Sequence, residues 1–446
     1  MTALSTQSYK GTRDYYPEDK RIQNYIFSTW KKVVESHGYE EYGAPLVEPL
    51  EVYTAKSGQE LAGEQTYAFT DRGERTVAIR PEMTPSISRM VAARRQELGY
   101  PARLYSIANF MRYERPQRGR DREFWQLNAD IFGVDSVYAE AEIISLAYQS
   151  VMAFGAKSDM FVIRINNRKL INHMMSDYLN LDGVQSHLMI KLFDRKNKIS
   201  AEDFAKQAVD IFGIEYAKEG VGKLNKLIFA KTVAELPAEL KDSDHVKELQ
   251  ALFTSLKNQG VTNAKFDITL MRGLDYYTGT VFEVFDTHPE NNRSMFGGGR
   301  YDGLVGLFGV EPISTVGMAP GLTPMQLFLE SHNLLPKIHS TTDLSLVVLS
   351  EDVIDDALKI ANYMREEGVN VEVDMTTRKV DKQVKAVVKR QVPFMIFVGE
   401  DEVANEQFTL KEIETSNEEK LSLERIVSSV KDYRHAKRSE LDELFE

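Results

Sequence analysis

The stretch that decides the fold is FMRYERPQRGRDREFWQLNADIFG, residues 110–133. Two β-like segments enclose RYERPQRGRDR (112–122), which holds five arginines in eleven positions. Pro116 and Gly119 predict a loop there rather than a helix face. Because a guanidinium presents a planar fork to phosphate oxygens, several arginines on one loop fit a nucleotide or an RNA backbone. The loop also carries acidic residues, so an exposed, charge-balanced loop is the alternative interpretation.

The strand expected at 123–133 separates its side chains into two chemically different faces, because successive residues of a strand point in opposite directions. One face carries Trp125, Leu127, Ala129 and Ile131, and the other carries Gln126, Asn128 and Asp130. A polar face inside an otherwise apolar region suggests a binding floor. The solvated face of an antiparallel sheet gives the same alternation, and the pattern alone favours that simpler interpretation.

A second unusual strand-like segment is MRGLDYYTGTVFEVF, residues 271–285. Its charged and phenolic residues are Arg272, Asp275, Tyr276 and Tyr277. A core strand seldom carries these without a ligand or partner charges. The glycines at 297–299 would allow a ligand to approach the backbone closely. They do not form a dinucleotide-binding fingerprint, because the flanking strand and helix and the later acidic residue are not evident.

The segment RPEMTPSISR (80–89) places Pro81 and Glu82 at the start of an expected helix. Glu82 could stabilise the positive end of that helix, and the sequence alone favours this interpretation. It could also enter a pocket and hold the ammonium group of a ligand.

Composition limits the protein class. The chain has 446 residues, a net charge of −12 and no cysteine. The negative charge argues against a protein that coats nucleic acid through bulk electrostatics. The cysteine count excludes disulfides and thiolate metal sites, and the eight scattered histidines predict no structural zinc. No apolar run has the ~18 residues of a membrane helix, and no signal peptide is evident, so we expect a cytoplasmic enzyme with no membrane partner.

The hydrophobic pattern predicts several domains. Residues 168–262 read as mostly helical and lysine-rich, which suggests an insertion between two β-rich parts. After a polar joint at 336–342, a strand (344–349), a helix (352–366) and a strand (370–374) predict a βαβ unit. A helix (380–390), the strand FMIFV (394–398) and a final helix near 422–433 continue a small α/β domain.

These motifs together resemble the histidyl-tRNA synthetases, a family of class II aminoacyl-tRNA synthetases. The resemblance rests on five segments: 110–133 is similar to motif 2, 272–284 and 297–304 to the two histidine signatures, 80–84 to the amino-acid-binding turn, and 343–434 to an anticodon-binding domain. The chain around Pro45 resembles motif 1, the dimer element, so a homodimer is implied.

The resemblance implies an α+β fold with an antiparallel, six-stranded class II core, a helical insertion and a C-terminal α/β anticodon-binding domain. The implied parts are the core at 1–167 and 263–335, the insertion at 168–262 and the anticodon-binding domain at 342–446. The implied activity is histidine–tRNA ligase, with histidine, ATP and tRNA(His) as substrates. Mg²⁺ would be carried with ATP, and the sequence does not indicate its protein ligands.

The resemblance also implies residue roles. Arg112 and Arg272 would be catalytic, with Arg112 on the ATP α-phosphate and Arg272 bridging that phosphate and the histidine carboxylate. The implied ATP-binding residues are Arg112, Glu114, Arg120, Arg122 and Phe124. The implied histidine-binding residues are Glu82, Thr84, Gln126, Asp130, Arg272, Tyr276, Tyr277 and Tyr301. Arg115 and Gln117 would contact the acceptor end of the tRNA.

One segment departs from the family pattern. Motif 3 should end in Glu-Arg, yet STVGMAPGLTPMQLFLE (314–330) has Thr323 and Pro324 there. The missing arginine would face the γ-phosphate of ATP, so its loss implies compensation by another cation, a divergent active enzyme or a degraded ATP site. The alternative function is therefore a catalytically inactive paralogue, such as an ATP phosphoribosyltransferase regulatory subunit or an RNA- or histidine-binding module.

Overall fold

The computed structural model describes residues 4–55, 63–196, 199–213, 215–271, 276–291, 293–376 and 378–442. They fall into two compact units. The first unit consists of Met1–Asp14 with Tyr25–Leu335, and the second of Tyr15–Asn24 with Pro336–Glu446.

The first unit is built on a large mixed sheet and a small antiparallel one. In chain order, its strands are β1 (Glu40–Glu41), β2 (Val47–Pro49), β3 (Ala68–Thr70), β4 (Thr76–Ile79), β5 (Ala102–Met111), β6 (Glu123–Phe132), β7 (Phe161–Asn167), β8 (Ala264–Phe266), β9 (Thr280–Asp286), β10 (Ser294–Arg300) and β11 (Thr315–Met318). Among the described residues, the large sheet has the order β1-β5-β6-β11-β10-β9-β7-β8, and the small one has the order β2-β4-β3.

The middle of the large sheet is the antiparallel core implied by the sequence. Its six central strands, β5-β6-β11-β10-β9-β7, pair antiparallel with their neighbours. Only the edge strands β1 and β8 of the described sheet run parallel to theirs. The longest ladder joins β5 and β6 over ten residue pairs, from Ala102↔Phe132 to Met111↔Glu123. The loop 112–122 therefore connects two strands held in a single register, which positions its two ends.

Helices pack on the sheet, and a further group of helices forms the chain between β7 and β8. In chain order, the helices of the chain up to residue 335 are α1 (Pro17–Ser36), α2 (Glu51–Thr54), α3 (Thr84–Ala93), α4 (Val137–Met152), α5 (Arg168–His173), α6 (Gly183–Arg195), α7 (Ala201–Phe212), α8 (Ala217–Phe229), α9 (Ala238–Lys241), α10 (Asp244–Asn258) and α11 (Leu322–Ser331). A π-helical turn, Met174–Tyr178, follows α5.

Local sequence explains where several helices begin and end. The helix α1 ends just before Gly38, which has φ +78°, a left-handed conformation that favours glycine after a helix. The Asp182 side chain caps α6 and accepts from the Gln185 backbone N–H at 2.8 Å. The helix α4 begins after Ser136 and is buried on almost every side, because it packs between the sheet and α10.

The second unit has an α/β core with an antiparallel extension. Its strands are β12 (Leu344–Val348), β13 (Val371–Val373), β14 (Phe394–Val398), β15 (Phe408–Glu412) and β16 (Glu418–Leu421), and its further helices are α12 (Ile354–Glu366), α13 (Val380–Lys389), α14 (Glu400–Asn405) and α15 (Leu423–Asp442). The order is β13-β12-β14-β15-β16. The predicted βαβ unit is confirmed, since β12 pairs parallel with β13 and β14. Strands β15 and β16 pair antiparallel and were not predicted.

No helix among the described residues is both long enough and apolar enough to span a membrane.

A buried ion pair fixes α4 to the end of β10. Arg300 donates to Glu140 from Nε at 2.7 Å and from Nη2 at 2.5 Å, and both side chains are under 8% exposed, at 7% and 6%. Arg300 also donates to the carbonyl oxygens of Val134 and Ser136 at 3.2 and 3.0 Å. Because a charge in the interior is stable only when it is paired, these bonds specify one position for the helix.

The substitution Glu140→Ala should lower the free energy of unfolding by about 3 kcal/mol, because among the described residues it leaves the buried guanidinium with Asp302 as its one charged partner. Urea unfolding followed by tryptophan fluorescence measures this, since Trp30 and Trp125 both lie in the first unit. Glu97→Ala, which removes an ion pair with both side chains exposed, should cost less than about 1 kcal/mol. Equal effects of the two substitutions would contradict a structural role for the buried pair.

Candidate functional site

A cleft of about 1470 Å³ opens on the first unit beside β6. Its walls come from the loop 112–122, the segments 267–271 and 283–295, and the beginning of α11. The lining includes six residues that the sequence assigned to a site: Arg112, Glu114, Gln117, Arg120, Phe124 and Gln126. The structure therefore brings the arginine loop and Gln126, the first residue of the polar face of β6, into one cavity.

Arg112 lies where the arginine loop leaves β5. Its Nε donates to the Pro81 carbonyl oxygen at 2.8 Å, and its guanidinium carbon lies 5.1 Å from the centre of the Phe124 ring. Burial lowers the pKa of Arg112 from its usual value, while the nearby Glu82 carboxylate acts in the opposite direction. A guanidinium stays protonated in proteins. Its two Nη groups make no hydrogen bond to the described part of the chain, so they can donate to an anion in the cleft.

The other arginines of the loop have different surroundings. Arg120 forms an ion pair with Glu114. Arg122, which the resemblance assigned to ATP, does not line the cleft: its guanidinium lies 4.1 Å from the Tyr113 ring centre, and its Nε donates to the Glu114 carbonyl oxygen at 3.0 Å. In this structure Arg122 holds the base of the loop. Arg115 is exposed.

Both faces of β6 are buried from Leu127 to Phe132, so the solvated-face interpretation is wrong. Gln126 forms a bridge with Gly321, and the Leu127 N–H donates to the Pro320 carbonyl oxygen at 2.9 Å. The start of α11 therefore packs directly on the polar end of the strand.

Asp130 lies in a buried cluster of aromatic hydroxyls. The Tyr301 hydroxyl donates to Asp130 Oδ1, and the Tyr276 hydroxyl donates to Glu82 Oε2 at 2.9 Å. The rings of Tyr276, Tyr277 and Tyr301 pack together, with centroids 5.1 to 6.4 Å apart. Asp130 Oδ2 accepts no hydrogen bond from the described residues, so it remains available to a ligand.

The position of Glu82 decides between the two interpretations of the segment 80–89. The helix α3 begins at Thr84 and has no side-chain cap at its N-terminus. Instead, Glu82 is buried and directed to Tyr276, as a pocket residue would be. The hydrogen bond to Tyr276 therefore favours the pocket interpretation of Glu82.

Two glycines create the space for this cluster. A Cβ on Gly317 would lie 2.0 Å from Asp130 Oδ1 and 3.0 Å from the Tyr301 hydroxyl. A Cβ on Gly299 would lie 2.9 Å from the Tyr277 ring. The glycines at 297–299 thus admit neighbouring protein atoms, whereas the sequence suggested close approach of a ligand.

The environment changes the acidity of the cluster. Burial raises the pKa of Asp130 to about 7, and the hydrogen bond from Tyr301 acts in the opposite direction. Burial also raises the pKa of Tyr276 and of Tyr301 well above the usual value, so both phenols stay neutral donors near pH 7.

The motif 3 departure lies on the cleft wall. Thr323 and Pro324 line the cleft, and the Thr323 hydroxyl donates to Asp121 Oδ2 at 3.2 Å. Pro324 is the third residue of α11. Proline is tolerated in the first turn of a helix because the backbone N–H groups there have no helical partner.

The assigned residues and the residues that line the cleft do not coincide completely. Arg272 lies outside the described residues. Thr84 begins α3 beside the Tyr276 hydroxyl. Further cleft residues that sequence analysis missed are Arg118, Asp121, Arg164, Asp267, Glu290 and Arg293. Only Arg118 and Asp121 had a signal, as part of the charged loop; the others become neighbours through the fold. Across the described chain, no three His, Asp or Glu side chains form a group that could hold a metal ion.

Comparisons with known proteins agree over nearly the whole chain. A family model described as histidyl-tRNA synthetase matches residues 11–325, and one described as anticodon binding domain matches residues 343–433. A histidine–tRNA ligase of Leptospira biflexa is 40% identical over 432 residues, covering 96% of this chain and 98% of that protein. A histidine–tRNA ligase of Haloarcula marismortui is 35% identical, covering 91% and 93%.

Solved structures agree as well. The crystal structure of a histidyl-tRNA synthetase from Nostoc sp. PCC 7120 matches with a TM-score of 0.80 and 25% identity, covering 97% of this chain and all of that one. A Bacillus halodurans protein described as an ATP phosphoribosyltransferase regulatory subunit/histidyl-tRNA synthetase matches with a TM-score of 0.72 at 22% identity, which shows a shared fold alone.

The buried Asp130 should make stability depend on pH. The pKa of an aspartate side chain is ordinarily 3.8, and that of Asp130 is about 7 in the fold, so the folded state binds the extra proton between these values. The free energy of unfolding of the wild type should therefore fall, relative to that of Asp130→Asn, as the pH rises from 4 to 7. The difference is on the order of 4 kcal/mol at about 1.4 kcal/mol per unit. Urea unfolding at pH 4 to 8 measures it, and parallel profiles for the two proteins would refute the shift.

Proposed function

The chain belongs to the histidyl-tRNA synthetase family, and on that premise we propose that it is a histidine–tRNA ligase. It activates histidine with ATP to histidyl-adenylate and then transfers the histidyl group to the 3′ end of tRNA(His). The observation that carries the proposal is that β6 joins two sites: a cleft lined by the Arg112 guanidinium, and a buried polar cluster at Asp130.

ATP occupies the cleft in this proposal. Phe124 and Glu114 hold the adenine, and the Nη groups of Arg112 donate to the α-phosphate. Arg120 reaches the outer phosphates and must exchange its ion pair with Glu114 to do so. Mg²⁺ enters with the triphosphate, which supplies oxygen ligands that suit it.

Activation joins two anions. An oxygen of the histidine carboxylate forms a bond to the α-phosphorus, and the bond from that phosphorus to the pyrophosphate oxygen breaks. Such a step needs alignment and positive charge more than covalent help from the protein. Arg112 supplies one fixed cation. Arg272 is proposed as the second, on the resemblance of the sequence alone, since it lies outside the described residues.

The histidine side chain enters the pocket of aromatic hydroxyls. Asp130 Oδ2 accepts from an imidazole N–H, while Tyr301 holds the other oxygen. Tyr276 and Tyr277 enclose the ring. The ammonium group is held by Glu82, Thr84 and Gln126. A buried carboxylate rejects amino acids without a matching donor, because they would leave it unpaired.

The tRNA contacts belong to the proposal too. Arg115 and Gln117 are exposed on the arginine loop, where the acceptor end of a tRNA can reach them. The anticodon-binding match at 343–433 favours a ligase over the inactive-paralogue alternative. We also propose the four-part division expected from the sequence, with the core at 1–167 and 263–335, the insertion at 168–262 and the anticodon-binding domain at 342–446. The cytoplasmic location stays a prediction.

The central test is pyrophosphate exchange into ATP by the purified protein, assayed separately with each of the twenty amino acids. Exchange should occur with histidine alone. Asp130→Asn should raise the KM for histidine at least about tenfold and leave the KM for ATP nearly unchanged, because it removes one charged acceptor. Arg272→Ala should abolish exchange with both ligands still bound. Folded protein that gives no exchange with any amino acid would favour the inactive paralogue or a binding module.

A homodimer is proposed from an exposed apolar face of the small sheet. The register β2-β4-β3 places Val47, Val77, Ile79 and Phe69 on one side, with Glu48 and Ala78 buried on the other. Val47 and Phe69 are 41% and 48% exposed. An apolar face of this kind marks an interface.

Sedimentation should give twice the mass of the chain, and Val47→Asp with Phe69→Asp should shift it toward the monomer. Tyr138→Asp, which changes an apolar side chain that is 69% exposed elsewhere, should leave the dimer intact. A wild-type protein that sediments as a monomer at micromolar concentration would refute the dimer.

A further inference from the structure

The loop between β9 and β10 brings an arginine to the cleft that no motif indicated. Arg293 lines the cleft just before β10 and donates from Nη2 to Gln117 Oε1 at 2.8 Å. Gln117 lies at the tip of the arginine loop, where it pairs with Arg120. Arg293 therefore lies beside the tip of the arginine loop, whereas Arg112 lies at the base of the loop.

The cleft arginines divide by the charge of their partners. Three are neutralised by carboxylates: Arg118 by Glu290, Arg120 by Glu114 and Arg164 by Asp267. Arg112 and Arg293 instead donate to neutral acceptors, the Pro81 carbonyl and the Gln117 amide, and neither forms an ion pair with the described residues. Because a hydrogen bond to an ionised acceptor is about twice as strong as one to a neutral acceptor, both guanidiniums favour an anionic ligand.

The strand that follows Arg293 runs beside the departure in motif 3. A Cβ on Gly321 would lie 3.2 Å from Pro324 Cδ and 4.0 Å from the Met295 carbonyl oxygen. Met295 is two residues after Arg293, and its backbone is therefore next to the turn that presents Pro324. A cation on Arg293 can serve the same end of the cleft as a side chain at position 324.

We propose that Arg293 is a further ATP-binding cation, which holds the outer phosphates together with Arg120, in place of the arginine missing at Pro324. The inference rests on the proposed function, because it takes the cleft to be the ATP site. Arg112 holds the inner phosphate beside the histidine pocket, and Arg293 holds the far end of the triphosphate. On binding, the Arg293 guanidinium exchanges the neutral Gln117 amide for phosphate oxygens and aligns the leaving pyrophosphate.

An RNA phosphate is the competing anion, since Gln117 lies on the loop proposed to meet tRNA. The cleft favours ATP, because Arg293 lines the same cavity as Phe124 and Glu114, which are the proposed adenine contacts. The two anions are separable by experiment: pyrophosphate exchange needs no tRNA, whereas transfer of histidine does.

The test compares Arg293→Ala with the wild type in histidine-dependent exchange. The KM for ATP should rise about tenfold to a hundredfold, as expected for the loss of a charged hydrogen bond. The KM for histidine should stay within about twofold, and inhibition by AMP, which lacks the outer phosphates, should be unchanged. Arg94→Ala, which makes the same charge change at a side chain that is 76% exposed, should match the wild type.

A second substitution tests the replacement itself. Pro324→Arg in the Arg293→Ala background should restore at least part of the ATP affinity, because the first turn of α11 accepts either residue. No restoration would overturn the replacement of the motif 3 arginine. An unchanged KM for ATP in Arg293→Ala, or equal losses for ATP and histidine, would overturn the role in ATP binding. A defect confined to transfer onto tRNA would assign Arg293 to RNA instead.

The inference and the proposed function fail in different ways. If the wild type gave no exchange, the ligase proposal would fail, and ATP binding by calorimetry would still decide the role of Arg293. Weaker binding of ATP, but not of AMP, by Arg293→Ala supports the role, and equal binding of ATP by both proteins overturns it.

Discussion

A carboxylate can be kept in a dry protein interior only if the surrounding atoms leave room for it and supply donors. Asp130 lies near the C-terminal end of β6, where it pairs with Gly317 on one side and Leu104 on the other. The neighbour on β11 is a glycine because any Cβ there would strike the carboxylate. Tyr301 supplies the donor, and its hydroxyl stays neutral because burial raises its pKa.

This constraint links the pocket to the sheet. The ten-pair ladder between β5 and β6 fixes which side chains of β6 face the cleft, and a shift by one residue would turn Asp130 to the opposite side. The same ladder sets the two ends of the arginine loop, through the bond from the Arg112 N–H to the Arg122 carbonyl oxygen at 2.8 Å. A single register therefore fixes the positions of both the Asp130 carboxylate and the Arg112 guanidinium.

Elements were predictable from the sequence where their hydrophobic pattern reflects which of their own residues are buried. The alternation in β6 and the βαβ unit of the second unit are of this kind. Strands β15 and β16 were not predicted; β16 has four residues whose side chains are mostly exposed and charged, which leaves no periodic pattern. The resemblance named most residues of the candidate site, including Glu82. It could not tell which arginines face the cleft, because that depends on their neighbours in the fold. Arg122 turns to aromatic rings, and Arg293 reaches the cleft only because a hairpin folds beside α11.

The two changes in motif 3 make sense together when the neighbouring charges are considered. The loop residue Asp121 accepts a hydrogen bond from Thr323, so a glutamate at position 323 would set a second carboxylate against the first. With a neutral hydroxyl there, Asp121 of the loop accepts a hydrogen bond from Thr323 of α11. Gln117 of the loop accepts another from Arg293 of the β9–β10 hairpin. These two hydrogen bonds hold the loop beside the cleft without an arginine at position 324. Without that arginine the wall has one cation fewer, and Arg293 on the hairpin, which lines the same cavity, is the cation proposed to replace it.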